Sequence, residues 1–252
     1  VFIGGSAMFN AEAPNYLTVL DYLATRNIDN LKSINLSESG ARHMNMAVRF
    51  QREVLPLKPD LVIFFDGFNE FNSIVYGGDP SDDFYWTATG NVRMHQPARL
   101  YIDKAIELSS FFELALLHSG VYRTSRNVFG ISAHYESIHA AVDTYVRDKQ
   151  VTSALCNAFD IKCLFVIQPQ VYGSPNLQHL QIISSTSRTF PHAKEIRTIG
   201  YEIILERCSD CIDMSRALDE IDNSFIDPVH FSKAGSQILG MRLERLIREN
   251  LD

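Results

Sequence analysis

Short apolar runs alternate with segments of helical periodicity from one end of the sequence to the other. The clearest run is LVIFF at residues 61–65, and its apolarity is continuous rather than alternating. Continuous runs are typical of strands that are covered on both faces, as they are in a parallel sheet with helical crossovers. The alternation therefore predicts an α/β fold with a parallel, doubly wound sheet.

Five runs have the length of strands, and the segments between them carry apolar residues at helical spacing. The predicted strands are VFIGG, KSINLS, LVIFF, CLFVIQP and CIDMS. The predicted helices lie near residues 16–24, 46–54, 97–118, 137–159, 193–207 and 233–250. Residues 72–96 and 171–190 fit neither pattern, and we expect irregular loops there. No repeat interrupts the pattern, which indicates one domain over residues 1–252.

Length, charge and hydropathy narrow the functions open to the chain. Its 252 residues, 46% of them hydrophobic and 21% charged, suit a globular domain of enzyme size. The net charge of −7 and the absence of any run of Lys or Arg argue against a nucleic-acid partner. The sequence contains no apolar stretch of about 18 residues or more, so it predicts no membrane-spanning segment. Oligomeric state is not determined by any of these features.

The first residue, Val1, already lies within a predicted strand, so we expect the natural protein to begin further upstream. Two locations stay open for it. The protein is either cytoplasmic, or it is extracytoplasmic behind an N-terminal signal or anchor.

The four cysteines, at positions 156, 163, 208 and 211, give no pattern of metal ligands. Only the last two form a CxxC pair, and a zinc site needs a second pair at similar spacing. A redox CxxC belongs at a helix N-terminus, whereas Cys211 leads into a predicted strand. We therefore interpret all four as buried or incidental thiols, and we expect no metal and no cofactor.

Small and polar residues follow the predicted strands. Ser6 ends the first run, Gly40 comes shortly after the second, and Asn69 comes shortly after the third. Asp227 and His230 follow the last strand, past a short loop. The carboxyl ends of parallel strands lie at one edge of a sheet, where ligands of this fold class bind. We therefore expect these residues to lie close together.

The set contains the groups that acyl transfer requires. A serine hydroxyl becomes a nucleophile when an imidazole takes its proton, and a carboxylate fixes the tautomer of that imidazole. Ser6, His230 and Asp227 can fill these three roles. The negative charge of a tetrahedral intermediate needs preorganised donors, which the backbone N–H groups of Ser6 and Gly40 and the Asn69 amide can supply.

Taken one at a time, these residues also have purely structural explanations. Ser6 can be a helix N-cap or a turn residue. Asp227 can cap a turn that leaves His230 on the surface, and Asn and Gly are common in turns. Asp66 at the end of the third run is a rival acid, but we expect it to organise its loop. The joint order of the residues at strand ends favours the catalytic interpretation.

The residues form four blocks along the chain: Gly4-Gly5-Ser6, Ser39-Gly40, Gly67-Phe68-Asn69-Glu70 and Asp227-Pro228-Val229-His230. The blocks resemble those of the SGNH, or GDSL-type, hydrolases, a family of esterases, lipases and carbohydrate deacetylases. The resemblance implies a flavodoxin-like, three-layer α/β/α domain with a five-stranded parallel sheet. It implies the same catalytic roles for Ser6, Asp227 and His230, and the same oxyanion hole from Ser6, Gly40 and Asn69.

Two positions depart from the pattern of the family. Gly5 stands at the position of the Asp in the Gly-Asp-Ser motif that gives the GDSL family its name. Glu70 stands at the position of the Asp in the family's Gly-x-Asn-Asp motif. Neither change removes a group that the mechanism uses. We expect Glu70, Trp86 and Gln168 to contact the substrate, because they lie in or beside the expected loops.

The sequence thus predicts a serine esterase that forms an acyl-enzyme. The expected substrate is an ester of a short acyl group, acetyl, on a carbohydrate or another polar alcohol, because the aromatic loop at 72–96 suits stacking on a sugar ring. Two alternatives stay open. The first is an O-acyltransferase with the same triad, and the second is a catalytically inactive binding domain.

Overall fold

The structure, a computed structural model, describes residues 1–9, 18–26, 31–75, 131–187 and 192–251. In the described residues the sheet has four strands in the order β1-β2-β3-β4, and every neighbouring pair is parallel. The strands are β1 (Phe2–Gly4), β2 (Leu61–Asp66), β3 (Lys162–Ile167) and β4 (Ile212–Asp213).

Helices connect the strands and cover the sheet. In chain order they are α1 (Ser6–Phe9), α2 (Val19–Thr25), α3 (His43–Arg49), α4 (Asn72–Val75), α5 (Ile131–Ala158), α6 (Leu177–Ser187), α7 (Ala193–Arg207) and α8 (Lys233–Leu251). A π-helical turn (Phe50–Val54) and a 3-10 turn (Leu55–Leu57) extend α3, and a second 3-10 turn (Asn69–Phe71) precedes α4. None of the described helices is both long enough and apolar enough to cross a membrane.

Alternate residues of β2 enter two different parts of the core. Phe64 packs with Phe50 of the π-helical turn and with Phe165, on the side of α3. Phe65 packs on the opposite side, with Phe231 and Leu239. All six residues of β2 are buried because helices cover both faces of the sheet, which explains the continuous apolar run. The predicted α/β fold with a parallel, doubly wound sheet is confirmed.

The sheet differs from the five-stranded prediction at one edge. The predicted strand KSINLS forms a single parallel bridge, between Asn35 and Phe2. The backbone N–H of Leu36 donates to the carbonyl of Phe2 at 2.9 Å, so the segment still lies beside β1. Residues 32–35 are exposed, so little burial of apolar side chains stabilises a longer pairing at this edge of the sheet. Counting this segment, the strands follow the 2-1-3-4-5 order of flavodoxin-like folds.

A second difference concerns the two segments predicted as irregular. The segment 171–190 contains α6, because His179 and Ile183, one helical turn apart, are both buried. Polar residues between them weaken the apolar periodicity of this helix in the sequence. Most of segment 72–96, with Trp86, and the predicted helix near 97–118 lie outside the described residues.

The prediction of unpaired thiols is wrong. Cys156 forms a disulfide with Cys163, and Cys208 forms one with Cys211. The chain reverses between α5 and β3, with Asp160 at a φ of 54°, and this turn brings Cys156 beside Cys163. The second disulfide closes the turn between α7 and β4.

Candidate active site

Ser6 stands at the carboxyl end of β1, where it begins α1. Two glycines precede it and keep side-chain bulk out of this corner. A Cβ atom on Gly4 would lie 2.8 Å from the carbonyl oxygen of Phe65, and one on Gly5 would lie 2.5 Å from Nδ2 of Asn69. The absence of a side chain at position 5 therefore allows the Asn69 amide to approach the backbone next to Ser6.

A chain of hydrogen bonds joins Ser6 to the last of the four sequence blocks. Nε2 of His230 lies 2.8 Å from Oγ of Ser6, although 224 positions separate the two residues. Nδ1 of His230 lies 2.5 Å from Oδ2 of Asp227. The order hydroxyl, imidazole, carboxylate is the one in which an imidazole can take the hydroxyl proton and a carboxylate can stabilise the resulting cation.

The carboxylate of Asp227 is held by its own loop. Its Oδ1 accepts the backbone N–H groups of Val229 at 2.9 Å and His230 at 2.8 Å. Burial acts to raise the pKa of Asp227, but the hydrogen bond and charge of His230 and the two N–H groups outweigh it, so the pKa lies below its usual value. The carboxylate is therefore ionised at neutral pH and can orient the imidazole.

Contacts with two other parts of the fold hold the loop that carries this pair. The loop folds back on itself, with the N–H of Ile226 donating to the carbonyl of His230 at 2.9 Å. The N–H of Val171, after β3, donates to the carbonyl of Pro228 at 3.1 Å. Nε2 of His179 on α6 lies 3.0 Å from Oγ of Ser224. The loop is thus anchored to the elements that follow β3.

Gly40 lies in a turn that is attached to the end of β1. The N–H of Glu38 donates to the carbonyl of Gly4 at 2.9 Å, and the N–H of Ala41 closes the turn by donating to Glu38 at 3.2 Å. Gly40 has a φ of 75°, a conformation that favours glycine. The turn brings Gly40 to the same edge of the sheet as Ser6.

The Asn69 amide is fixed at both ends. Its Nδ2 donates to the carbonyl of Ala41 at 3.0 Å, and its Oδ1 accepts from Nδ2 of Asn72 at 2.9 Å. The amide nitrogen carries two hydrogens, and Ala41 takes one of them. The other hydrogen is the one that can serve a developing oxyanion near Ser6.

Arg197 on α7 stabilises this turn, and sequence reasoning did not single it out. Its guanidinium lies 3.6 Å from the centre of the Phe68 ring and donates to the carbonyl of Phe68 at 2.5 Å. It also donates to Oδ1 of Asn72 at 2.7 Å, which in turn contacts Asn69. A lone arginine inside a helical pattern gives no local signal of this role, because its partners lie about 125 positions away.

The residues expected to contact substrate are placed differently. Glu70 is only 6% exposed, and its Oε1 accepts the N–H of His43 at 2.7 Å. Gln168 is also buried, and its N–H continues the sheet by donating to the carbonyl of Asp66. Both side chains therefore point into the protein rather than to the surface. Trp86 lies outside the described residues.

A second pair of His and Asp lies behind the site, and no sequence motif connects its two members. Nδ1 of His43 lies 2.6 Å from Oδ2 of Asp66, and its Nε2 lies 3.2 Å from Oγ1 of Thr152. The hydroxyl of Tyr145 donates to the other oxygen of Asp66 at 3.0 Å. His43 and Thr152 have no exposed surface, so this network belongs to the core. Asp66 thus connects α3 to α5, and its role in organising the loop after β2 stays a prediction.

The carboxyl of Glu70 borders this network. Burial, and the nearby charge of Asp66, raise its pKa from 4.5 to about 7, although the N–H of His43 acts in the opposite direction. The titratable and charged groups that face Glu70 come from four elements or their ends, and they are Asp66, Arg42, His43, Tyr145 and Tyr201. In the described part of the chain, no group of three or more His, Cys, Asp or Glu residues could hold a metal ion.

Comparison with solved structures finds the same architecture over nearly the whole chain. A putative acylhydrolase from Bacteroides fragilis is 13% identical, with a TM-score of 0.52, covering 100% of this chain and 86% of that chain. An acetylxylan esterase from Geobacillus stearothermophilus is 15% identical, with a TM-score of 0.50, covering 98% and 92%. A lipase/acylhydrolase from Enterococcus faecalis is 16% identical, with a TM-score of 0.50, covering 100% and 96%.

The chain has the SGNH hydrolase fold. No family model matches the sequence, and a search of curated proteins returns no match. At identities of 13–16% the likeness lies in the backbone. Because one fold can carry many activities, the chemistry of this SGNH hydrolase fold depends on the side chains described above.

Proposed function

We propose that the protein is a serine esterase that cleaves a carboxylic ester through an acyl-enzyme on Ser6. The observation that carries the proposal is the hydrogen-bonded chain from Ser6 through His230 to Asp227 at the carboxyl edge of the sheet. Each bond has the length and the chemical order that proton transfer from the hydroxyl requires.

In the first half of the cycle, Oγ of Ser6 attacks the ester carbonyl while Nε2 of His230 takes its proton. The tetrahedral intermediate collapses, the bond to the alcohol breaks, and His230 returns the proton to the leaving oxygen. In the second half, His230 takes a proton from water, and the hydroxide attacks the acyl-Ser6. The carboxylic acid then leaves, and Ser6 regains its proton from His230.

The oxyanion donors of the proposal are the backbone N–H groups of Ser6 and Gly40 and the amide of Asn69. The steric gap at Gly5 and the bond to Ala41 support this assignment, because they hold the amide beside the nucleophile. One such donor contributes roughly 3 kcal/mol to lowering the barrier, which corresponds to about a hundredfold in rate.

For the substrate we propose a short acyl group, acetyl, on a carbohydrate or similar polar alcohol. The acetylxylan esterase among the proteins of the same fold carries this combination in its name and supports the proposal. The same triad can pass the acyl group to a sugar hydroxyl instead of water. Acetate release with and without a glycan acceptor distinguishes a hydrolase from an acyltransferase.

The test is labelling by a fluorophosphonate probe together with hydrolysis of p-nitrophenyl esters from acetate to octanoate. We expect labelling of the wild type and of Ser209→Ala, an exposed serine, and no labelling of folded Ser6→Ala. Acetate should be cleaved faster than octanoate. Absence of labelling in the folded wild type would favour a binding domain, and faster cleavage of octanoate would contradict the short acyl group.

A further inference from the structure

Two hydrogen bonds of opposite direction join the segments that carry Gly40 and Asn69. The side chain of Asn69 donates to the carbonyl of Ala41 at 3.0 Å. The side chain of the next residue, Glu70, accepts the N–H of His43 at 2.7 Å. Two neighbouring residues of one turn thus hold, like a clamp, two residues of the other segment that are two positions apart, and Gly40 lies immediately before the first of them.

A glutamate at position 70 is not the residue that would make this contact at the lowest cost in folding free energy. The residue is 6% exposed, and its carboxyl lies near the charge of Asp66, an arrangement that disfavours the ionised form. A glutamine could accept the same N–H without adding a charge. The contact thus depends on the acceptor oxygen at this position and not on its charge.

The other side of the clamp rests on the long helix α5. His43, whose N–H Glu70 accepts, uses its ring to contact Asp66 and Thr152. Asp66 also accepts from Tyr145, which lies on α5 with Thr152. These groups are buried, so the start of α3 has a fixed support, and Glu70 connects that support to the turn of Asn69.

We propose that Glu70 is a positioning residue for the oxyanion hole, holding the segment of Gly40 against the turn of Asn69 through the N–H of His43. The inference rests on the esterase function proposed above. Glu70 itself does not touch the substrate. It sets the separation between two donors that must both reach one oxygen atom.

Loss of this contact should affect the chemical step more than substrate binding. Donors of an oxyanion hole act on charge that develops only in the transition state, so their displacement lowers kcat with little change in KM. Complete loss of one donor costs roughly a hundredfold or more in rate. A donor that is displaced rather than removed should cost about tenfold.

The experiment compares substitutions that differ in their ability to accept the His43 N–H. Glu70→Gln keeps an acceptor of the same length, Glu70→Met keeps the length without an acceptor, and Glu70→Asp keeps the charge but is one methylene shorter. Glu206→Gln, an exposed position on α7, is the matched control. Each variant is measured for kcat and KM on p-nitrophenyl acetate and for hydrogen exchange of the backbone amides of residues 40–43.

We expect Glu70→Gln and Glu206→Gln to keep kcat within about threefold of the wild type. Glu70→Met and Glu70→Asp should lower kcat about tenfold, keep KM within about threefold, and speed exchange at residues 40–43. If Glu70→Met does not fold, Glu70→Asp carries the comparison.

Equal kcat for Gln and Asp at position 70, or a loss expressed mainly in KM, would overturn the proposal. So would faster exchange at residues 40–43 without a change in kcat. The exchange measurement also separates this proposal from the esterase function. If the wild type hydrolyses no ester, the function fails, while slow exchange in Glu70→Gln and fast exchange in Glu70→Asp still support the clamp.

Discussion

Two pairs of His and Asp in this protein have nearly the same internal geometry. His230 meets Asp227 at 2.5 Å and Ser6 at 2.8 Å, and His43 meets Asp66 at 2.6 Å and Thr152 at 3.2 Å. Both imidazoles therefore connect a carboxylate to a hydroxyl. The first group can be reached by a substrate, whereas the second lies wholly in the core.

Exposure and the position of the hydroxyl make the difference. The Asp227 side chain is 38% exposed and that of His230 is 10% exposed, while the values for Asp66 and His43 are 1% and 0%. Ser6 is only partly buried and follows two glycines, whereas Thr152 lies within α5 and also donates to the carbonyl of Asp148. A hydrogen-bonded row of hydroxyl, imidazole and carboxylate is thus insufficient for catalysis, because a nucleophilic hydroxyl also needs open space for the substrate.

Substitution of the two hydroxyl residues, Ser6 and Thr152, should show the difference between the two groups most strongly. Ser6→Ala removes the proposed nucleophile, so we expect kcat/KM on p-nitrophenyl acetate to fall by at least about 10³-fold. Thr152→Val removes the hydrogen bonds of Thr152 to His43 and to the carbonyl of Asp148, and it should lower the free energy of unfolding by about 1–3 kcal/mol, with less than about a tenfold change in kcat/KM. A larger loss of activity in Thr152→Val than in Ser6→Ala would show that the assignment is reversed.

Substitutions of the two carboxylates, Asp227 and Asp66, should likewise differ in their effects. Asp227→Asn leaves the imidazole without the partner that fixes its tautomer, and we expect kcat to fall by roughly 10³–10⁴-fold. Asp66→Asn weakens the contacts of His43 and Tyr145 and should lower the thermal midpoint more than Asp227→Asn does. Steady-state kinetics and thermal unfolding of both variants check this. Comparable losses of activity in the two variants would argue that the buried pair also takes part in catalysis.

An effect on stability alone is expected from the charge that borders the buried pair. The pKa of Glu70 is raised from 4.5 to about 7, so the folded protein holds this proton more tightly than the unfolded chain does. Its contribution to stability is complete below pH 4.5 and is lost as the pH rises through 7.

Urea unfolding of the wild type and Glu70→Gln at pH 5 and pH 8 measures this contribution. On going from pH 5 to pH 8, the wild type should lose about 2 to 3 kcal/mol more than the variant, which cannot titrate at this position. Glu206→Gln should follow the wild type. Parallel pH profiles for the wild type and Glu70→Gln would mean that Glu70 titrates normally in the folded protein.

Much of the fold could be predicted from the sequence because its signals are local. The run LVIFF became a strand buried on both faces, and polar residues at strand ends converged on one edge. The segment KSINLS carried the right composition, but pairing at an exposed edge depends on packing that composition does not record. The disulfide between Cys156 and Cys163 arises from the reversal between α5 and β3, which the spacing of cysteines alone does not reveal.

The network around His43 could not be predicted for a related reason. Its members come from three elements and lie as far apart as 109 positions, so no local pattern connects them. Glu70 illustrates the limit within a single motif. Its block in the sequence placed it at the site, but only tertiary packing shows that it points inward and accepts the N–H of His43.

The missing side chain at position 5 makes two distant positions depend on each other. A Cβ atom there would lie 2.5 Å from Nδ2 of Asn69, which is too close for two atoms that are not bonded. Any larger residue at position 5 would therefore require a compensating shift at position 69. Substitutions at positions 5 and 69 should therefore have non-additive effects on the stability of this protein.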